Sequence, residues 1–286
     1  MTLIAIIIAL ALERFFGNME ELRRMEFFTQ PGEWLQNQST KFNSWIGAIL
    51  VLTVIGLGVE YIHRSLLGWN SFSGLLWSAA VLAFCLGPKN FQEQIKSLCE
   101  SVEANNMESA YWQLEQIKYH PLREDEQISI IATALQTLFV AVNNRILGVI
   151  FWFVALGPLG AVLYRMASVY HFQQTGEERS AFLHAFDRIY FLINWPCARL
   201  VTLSYAVVGS FSDAVKHLKG SVTATENWPD SNENLLVCSG LGAMHLDQNN
   251  KDLNCEDVTN GLALVRRSVA FWVGVAALMT LAGWLG

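Results

Sequence analysis

Long stretches without charge constrain this chain more than any other feature. Residues 72–88 and 268–286 carry no charged side chain, residues 45–62 carry only Glu60, and residues 146–170 carry only Arg165. A helix needs ~20 mostly apolar residues to cross the hydrocarbon core of a bilayer, and about 17 is the lower limit. Two weaker segments join these four. Residues 3–16 are short and end in Glu13 and Arg14, and residues 189–211 contain Asn194, Trp195, Pro196 and Arg199. Charged residues make up 15% of the chain, against about 25% in a water-soluble domain. The expected class is therefore an all-α, polytopic helical membrane protein whose first partner is the lipid bilayer.

Basic residues decide between four and six spans, because loops that stay in the cytoplasm keep more Lys and Arg. With six spans, residues 13–44, 89–145 and 212–267 hold 4, 5 and 5 basic residues, and the loops opposite hold Arg64, Arg179 and Arg188. Both termini then lie outside. The expected organisation is membrane segments in 1–88 (3–16, 45–62 and 72–88), a cytoplasmic helical hairpin in 89–145 and central membrane segments in 146–211. A cytoplasmic segment in 212–267 and a last membrane helix in 268–286 complete it. In the hairpin, Ile95, Leu98 and Val102, then Met107, Tyr111 and Leu114, recur at helical spacing. After His120 and Pro121 the pattern resumes with Ile128, Ile131, Leu135, Leu138 and Val142, preceded by Glu124, Asp125 and Glu126 where a helix dipole favours acid. Residues 235–246 are rich in Ser, Gly and Ala, which suits either a closely packed helix or a loop against a ligand. The apolar start, residues 1–12, lacks a basic leader and a cleavage site and reads as a retained segment.

A net charge of −6 opposes phosphate-backbone binding, so no nucleic-acid partner is expected. The five cysteines are widely spaced without a C-x-x-C and read as free thiols. The six histidines form no metal-ligand motif, and no nucleotide or nucleophile-elbow motif occurs. No metal, cofactor or catalytic residue is therefore expected. Polar groups at membrane depth are the candidates, because a charge there is costly and faces a partner or water. They are Glu13, Asn144 with Arg145, Arg165, Asn194 and Arg199. Arg165 follows Gly157-Pro158-Leu159-Gly160, and Arg199 follows Pro196, and each sequence loosens the helix nearby. These groups are expected to line an intramembrane site for a lipid or an anionic small molecule, with a membrane protein as a further partner.

Four motifs, in this order, resemble AmpE: Ala11-Leu12-Glu13-Arg14-Phe15-Phe16, Asn143-Asn144-Arg145 running into Phe151-Trp152, Gly157-Pro158-Leu159-Gly160 to Tyr164-Arg165, and Asn194-Trp195-Pro196-Cys197-Ala198-Arg199-Leu200. The resemblance implies a bacterial inner-membrane protein linked to β-lactamase induction and cell-wall recycling, acting in signalling without catalysis. AmpE in turn resembles the CobD/CbiB family, which implies a membrane-bound ligase joining an aminopropanol unit to the corrin ring in cobalamin synthesis. That family's Glu-Asn pair falls here on Val140 and Ala141, its following Asp on Asn144 and its acidic pair on Tyr190 and Phe191, and in place of its N-terminal Gly-Asp-Pro the chain offers Glu13, then Gly17 and Asn18. On the signalling reading, Arg145, Arg165 and Arg199 remain as a ligand site after those carboxylates are lost. On the ligase reading, Asp187, Glu13 and Glu60 are the acids left in the bundle.

Overall fold

The computed structural model describes residues 2–15, 44–86, 90–117, 130–173, 180–222, 231–246 and 253–283. The described residues form helices and short connections, with no strand among them. In chain order the helices are α1 (Thr2–Phe15), α2 (Ser44–Trp69), α3 (Ser71–Cys85), α4 (Asn90–Glu103), α5 (Met107–Ile117) and α6 (Ile130–Val142). A π-helical turn (Asn143–Leu147) leads into α7 (Gly148–Phe172), followed by α8 (Ala181–Val208), α9 (Phe211–Val222), α10 (Ser231–Ala243) and α11 (Cys255–Leu281). Glu124, Asp125, Glu126, Ile128, His120, Pro121, Gly17, Asn18 and Arg179 lie outside the described residues, as do the side chains of Glu13 and Arg14.

Four helical stretches are long and apolar enough to cross a membrane: Trp45–Trp69, Ile130–Phe172, Ala181–Val208 and Cys255–Leu281. Two further apolar helices, Thr2–Leu12 and Ser71–Cys85, are shorter. A 15-residue helix rises ~22 Å, less than the ~30 Å hydrocarbon core. The segments at 3–16 and 72–88 thus appear as short apolar helices beside four full-length ones. On α2, Ile46, Ile49, Leu50, Val54, Leu57 and Tyr61 face outward. In water such a surface would cost roughly 25 cal/mol for each Å² of apolar area, and lipid removes that cost. The chain is an all-α membrane protein.

The helices fall into two compact units, each described by itself. Unit 1 comprises residues 1–88, 144–196 and 273–286, and unit 2 comprises residues 89–143 and 197–272. In unit 1, α1 and α2 pack on α3, and all three pack on α7. Small buried residues, Ala5, Ala9, Ala48, Ala79 and Ala83, let these backbones approach. The α2–α3 connection is one residue, Asn70, whose side chain accepts a hydrogen bond from the Phe72 amide at 3.2 Å and caps α3.

In unit 2, α4 and α5 pack as a pair turned at Asn105 with φ of 58°, a break inside the first arm of the expected hairpin, whose own turn at His120 and Pro121 lies outside the described residues. Ile95, Leu98 and Leu114 are buried as the periodicity predicts, but α5 is rotated from the expected phase. Its inner face is Ala110, Leu114 and Ile117, while Met107 and Tyr111 face outward. A Ser and Gln cluster sets this phase, since Gln113 Nε2 donates to Ser97 Oγ at 3.0 Å and Ser101 Oγ donates to Gln113 Oε1 at 3.3 Å. The small-residue segment at 235–246 contributes to the close-packed helix α10. A Cβ on Gly240 would lie 2.6 Å from the Phe139 ring, and Ser239 Oγ donates to the Thr202 carbonyl at 2.8 Å.

Candidate functional site

Two local irregularities shape α7. The π turn inserts an extra residue into the helical ladder, a feature often found where a helix must aim a side chain, and it carries Asn144 and Arg145. Further on, Gly157 adopts φ 67°, ψ −153°, a region open essentially to glycine alone. Pro158 follows, and its ring, with no N–H to donate, suits the first turn of a restarted helix. From there Tyr164, Ser168 and His171 recur at four- and three-residue spacing and share one face. Asp187, Tyr190 and Asn194 share one face of α8 for the same reason.

The two faces meet in antiparallel register. His171 Nδ1 lies 2.8 Å from Asp187 Oδ1, and seven residues away along each helix the Tyr164 hydroxyl donates to Asn194 Oδ1 at 3.0 Å. Between them the Tyr190 ring stacks on His171, with centroids 4.4 Å apart and 16° between planes, and sits 6.2 Å from the Tyr164 ring. The Tyr190 hydroxyl donates to Asn144 Oδ1. His184 Nδ1 lies 3.4 Å from the other carboxylate oxygen of Asp187, at an exposed position. Tyr164, Tyr190, Asn144, Asn194, Arg165 and His171 are all buried. Near the end of this face Pro196 has no N–H for the Leu192 carbonyl, and the next carbonyl, that of Ile193, accepts from the Trp152 indole at 3.0 Å.

Of the sequence candidates, Asn144, Arg145, Arg165 and Asn194 lie in unit 1, and Asn144 and Asn194 belong to the network just described. Arg165 is buried one residue after Tyr164. Arg199 lies in unit 2, where its Nη1 donates to Asn232 Oδ1 at 3.2 Å. Glu60 pairs with Arg64 one turn on, 2.7 Å away at the surface of α2. The residues passed over as functional groups are Tyr164, His171 and Tyr190. Their signal was present as the two matched triplets, 164/168/171 and 187/190/194, but nothing in either triplet alone says that the two helices pair.

The chemistry open to this arrangement follows from its parts. A carboxylate bonded to one ring nitrogen fixes the tautomer of an imidazole and stabilises its protonated form, so the second nitrogen can take a proton. A buried guanidinium favours carboxylate or phosphate groups, which match its fork of donors. The described residues include no group of three His, Cys, Asp or Glu side chains placed to hold a metal.

Comparison with known proteins bears on this site. The family model described as CobD/Cbib protein matches residues 6–251. The chain is 22% identical over 217 residues to "Cobalamin biosynthesis protein CobD" of Chromobacterium violaceum, covering 69% of this chain and 68% of that protein. It is also 22% identical over 234 residues to the protein of the same name from Stutzerimonas stutzeri, covering 80% of this chain and 72% of that protein. No solved structure matches it. The matched residues take in the π turn, the Gly157-Pro158 break and the whole His171, Asp187 and Tyr190 cluster, and this chain belongs to the CobD/CbiB family.

Proposed function

We propose that this protein is a membrane-bound, amide-forming ligase of the cobalamin-biosynthesis type, with its site on the paired faces of α7 and α8. The observation that carries this reading is the His171–Asp187 pair, 2.8 Å apart, in which the buried His171 ring stacks on Tyr190 and Asp187 is part-buried. An amine must lose a proton to become an amide nitrogen, and His171 held by Asp187 is a base for that proton. Arg165 is the cation that receives the acid partner. The family match and the names of both relatives support the substrate class. Purified protein supplied with ATP, magnesium, cobyric acid and an aminopropanol phosphate should form the amide, and the gene should restore growth to a cobalamin-synthase mutant. Failure of both assays with folded protein rejects the ligase.

One observation favours a second reading. Asn144 and Tyr190 occupy two positions where the family resemblance calls for acids, and they are hydrogen-bonded to each other, a neutral contact in place of carboxylates. On that reading the protein is a non-catalytic, AmpE-like signalling component of the bacterial inner membrane. Asn144, Arg145, Arg165 and Asn194 in unit 1 and, separately, Arg199 in unit 2 then bind lipids or anionic small molecules, and a membrane protein is the partner. Arg165→Ala and Arg199→Ala would then abolish β-lactamase induction at unchanged membrane yield, and normal induction in both variants rejects it.

A further inference from the structure

Of the five cysteines, Cys85, Cys197 and Cys238 are buried, whereas Cys99 and Cys255 are only partly covered. The two accessible thiols are also neighbours. Although 156 residues apart in sequence, they meet where α4 passes the first residue of α11, both within unit 2. Cys255 Sγ lies 3.6 Å from the Cys99 carbonyl oxygen, which sets one thiol against the backbone of the other cysteine. A thiol that already touches the other cysteine's backbone can reach its sulfur by side-chain rotation, whereas a pair on separated backbones needs the chain to move.

We infer that Cys99 and Cys255 form a reversible redox-sensitive disulfide that clamps α4 to the start of α11. The oxidant is a low-molecular-weight disulfide of the glutathione class. The Cys255 sulfur attacks one sulfur of that disulfide, a mixed disulfide forms, and one small thiol leaves carrying the Cys255 proton. The Cys99 sulfur then attacks the Cys255 sulfur, the Cys99–Cys255 bond forms, and the second small thiol leaves with the Cys99 proton. Two protein thiols are oxidised and one small disulfide is reduced to two thiols. Burial above all pushes the Cys99 thiol up to about 12, so little thiolate is present at neutral pH and closure is slow. Slow closure suits a site that responds to sustained oxidation and not to brief exposure.

The test uses the full-length protein purified in detergent, incubated for hours with oxidised glutathione, then denatured and labelled with a maleimide-polymer. Five labelled thiols before oxidation should fall to three, return to five after reduction, and one peptide pair joining Cys99 to Cys255 should appear by mass spectrometry. Cys99→Ser and Cys255→Ser proteins should each lack that linked pair. Retention of five labelled thiols in the wild type, or a linkage involving Cys85, Cys197 or Cys238 instead, overturns the inference without need of any variant.

Discussion

Glycines decide two features of α7 that larger residues would not permit. The Cβ of an alanine at Gly148 would fall 2.3 Å from the hydroxyl end of Tyr164, which is buried and bonded to Asn194. Gly148→Ala should therefore displace that hydroxyl and lower the detergent melting temperature by more than Tyr164→Phe, which removes one hydrogen bond worth about 1 kcal/mol. Equal melting temperatures for the two variants would show that the ring simply moves aside. At Gly157 the space is open, so the restriction is conformational. Gly157→Ala should cost roughly 1–3 kcal/mol because φ is 67°. Gly58→Ala, in open space on α2, should be neutral or stabilise by up to about 1 kcal/mol. Denaturation of both variants in the same detergent checks the contrast.

Helix pairing turns scattered polar residues into one network. Because the buried His171 and the part-buried Asp187 are direct partners, a double-mutant cycle with His171→Ala and Asp187→Asn should show coupling of about 0.5–3 kcal/mol. The same cycle with His184→Ala, 66% exposed at its side chain, should give less than half of that. Similar values for the two histidines would remove the argument for a special His171. The start of α9 offers an aqueous counterpart. The Ser210 hydroxyl donates to Asp213 at 2.8 Å and His245 lies 2.6 Å from the same oxygen. Ser210 first, then His245, hold the Asp213 carboxyl below the ordinary carboxylate range. A depressed pKa stabilises the fold above the unfolded value and loses that contribution as pH falls through the folded one. Asp213→Asn should thus be less stable than wild type at pH ~6 and indistinguishable from it near pH ~2.5, as read from thermal melts across that range.

At the scale of the molecule, orientation in the membrane follows from the distribution of basic residues. Reporter fusions at Asn105 and Asn232 should be active with a cytoplasmic reporter and silent with a periplasmic one. The reverse at either position would overturn the assignment of residues 89–145 and 212–267 to the inner side. The sequence by itself determined the all-α membrane class and marked three of the four long apolar helices clearly, while it ranked 189–211 as weak and 72–88 as a full span, the reverse of their lengths in the structure. Hydrophobic length and the rarity of charge are local properties, readable without neighbours. It also marked the Gly157-Pro158 break, because a proline without an N–H interrupts any helix. Only the tertiary structure decided which polar groups meet. His171 and Asp187 looked unrelated along the chain, as did Cys99 and Cys255. Their contacts depend on the relative rotation and register of packed helices, and those are set by many side chains interlocking at once, not by the spacing of the residues that benefit.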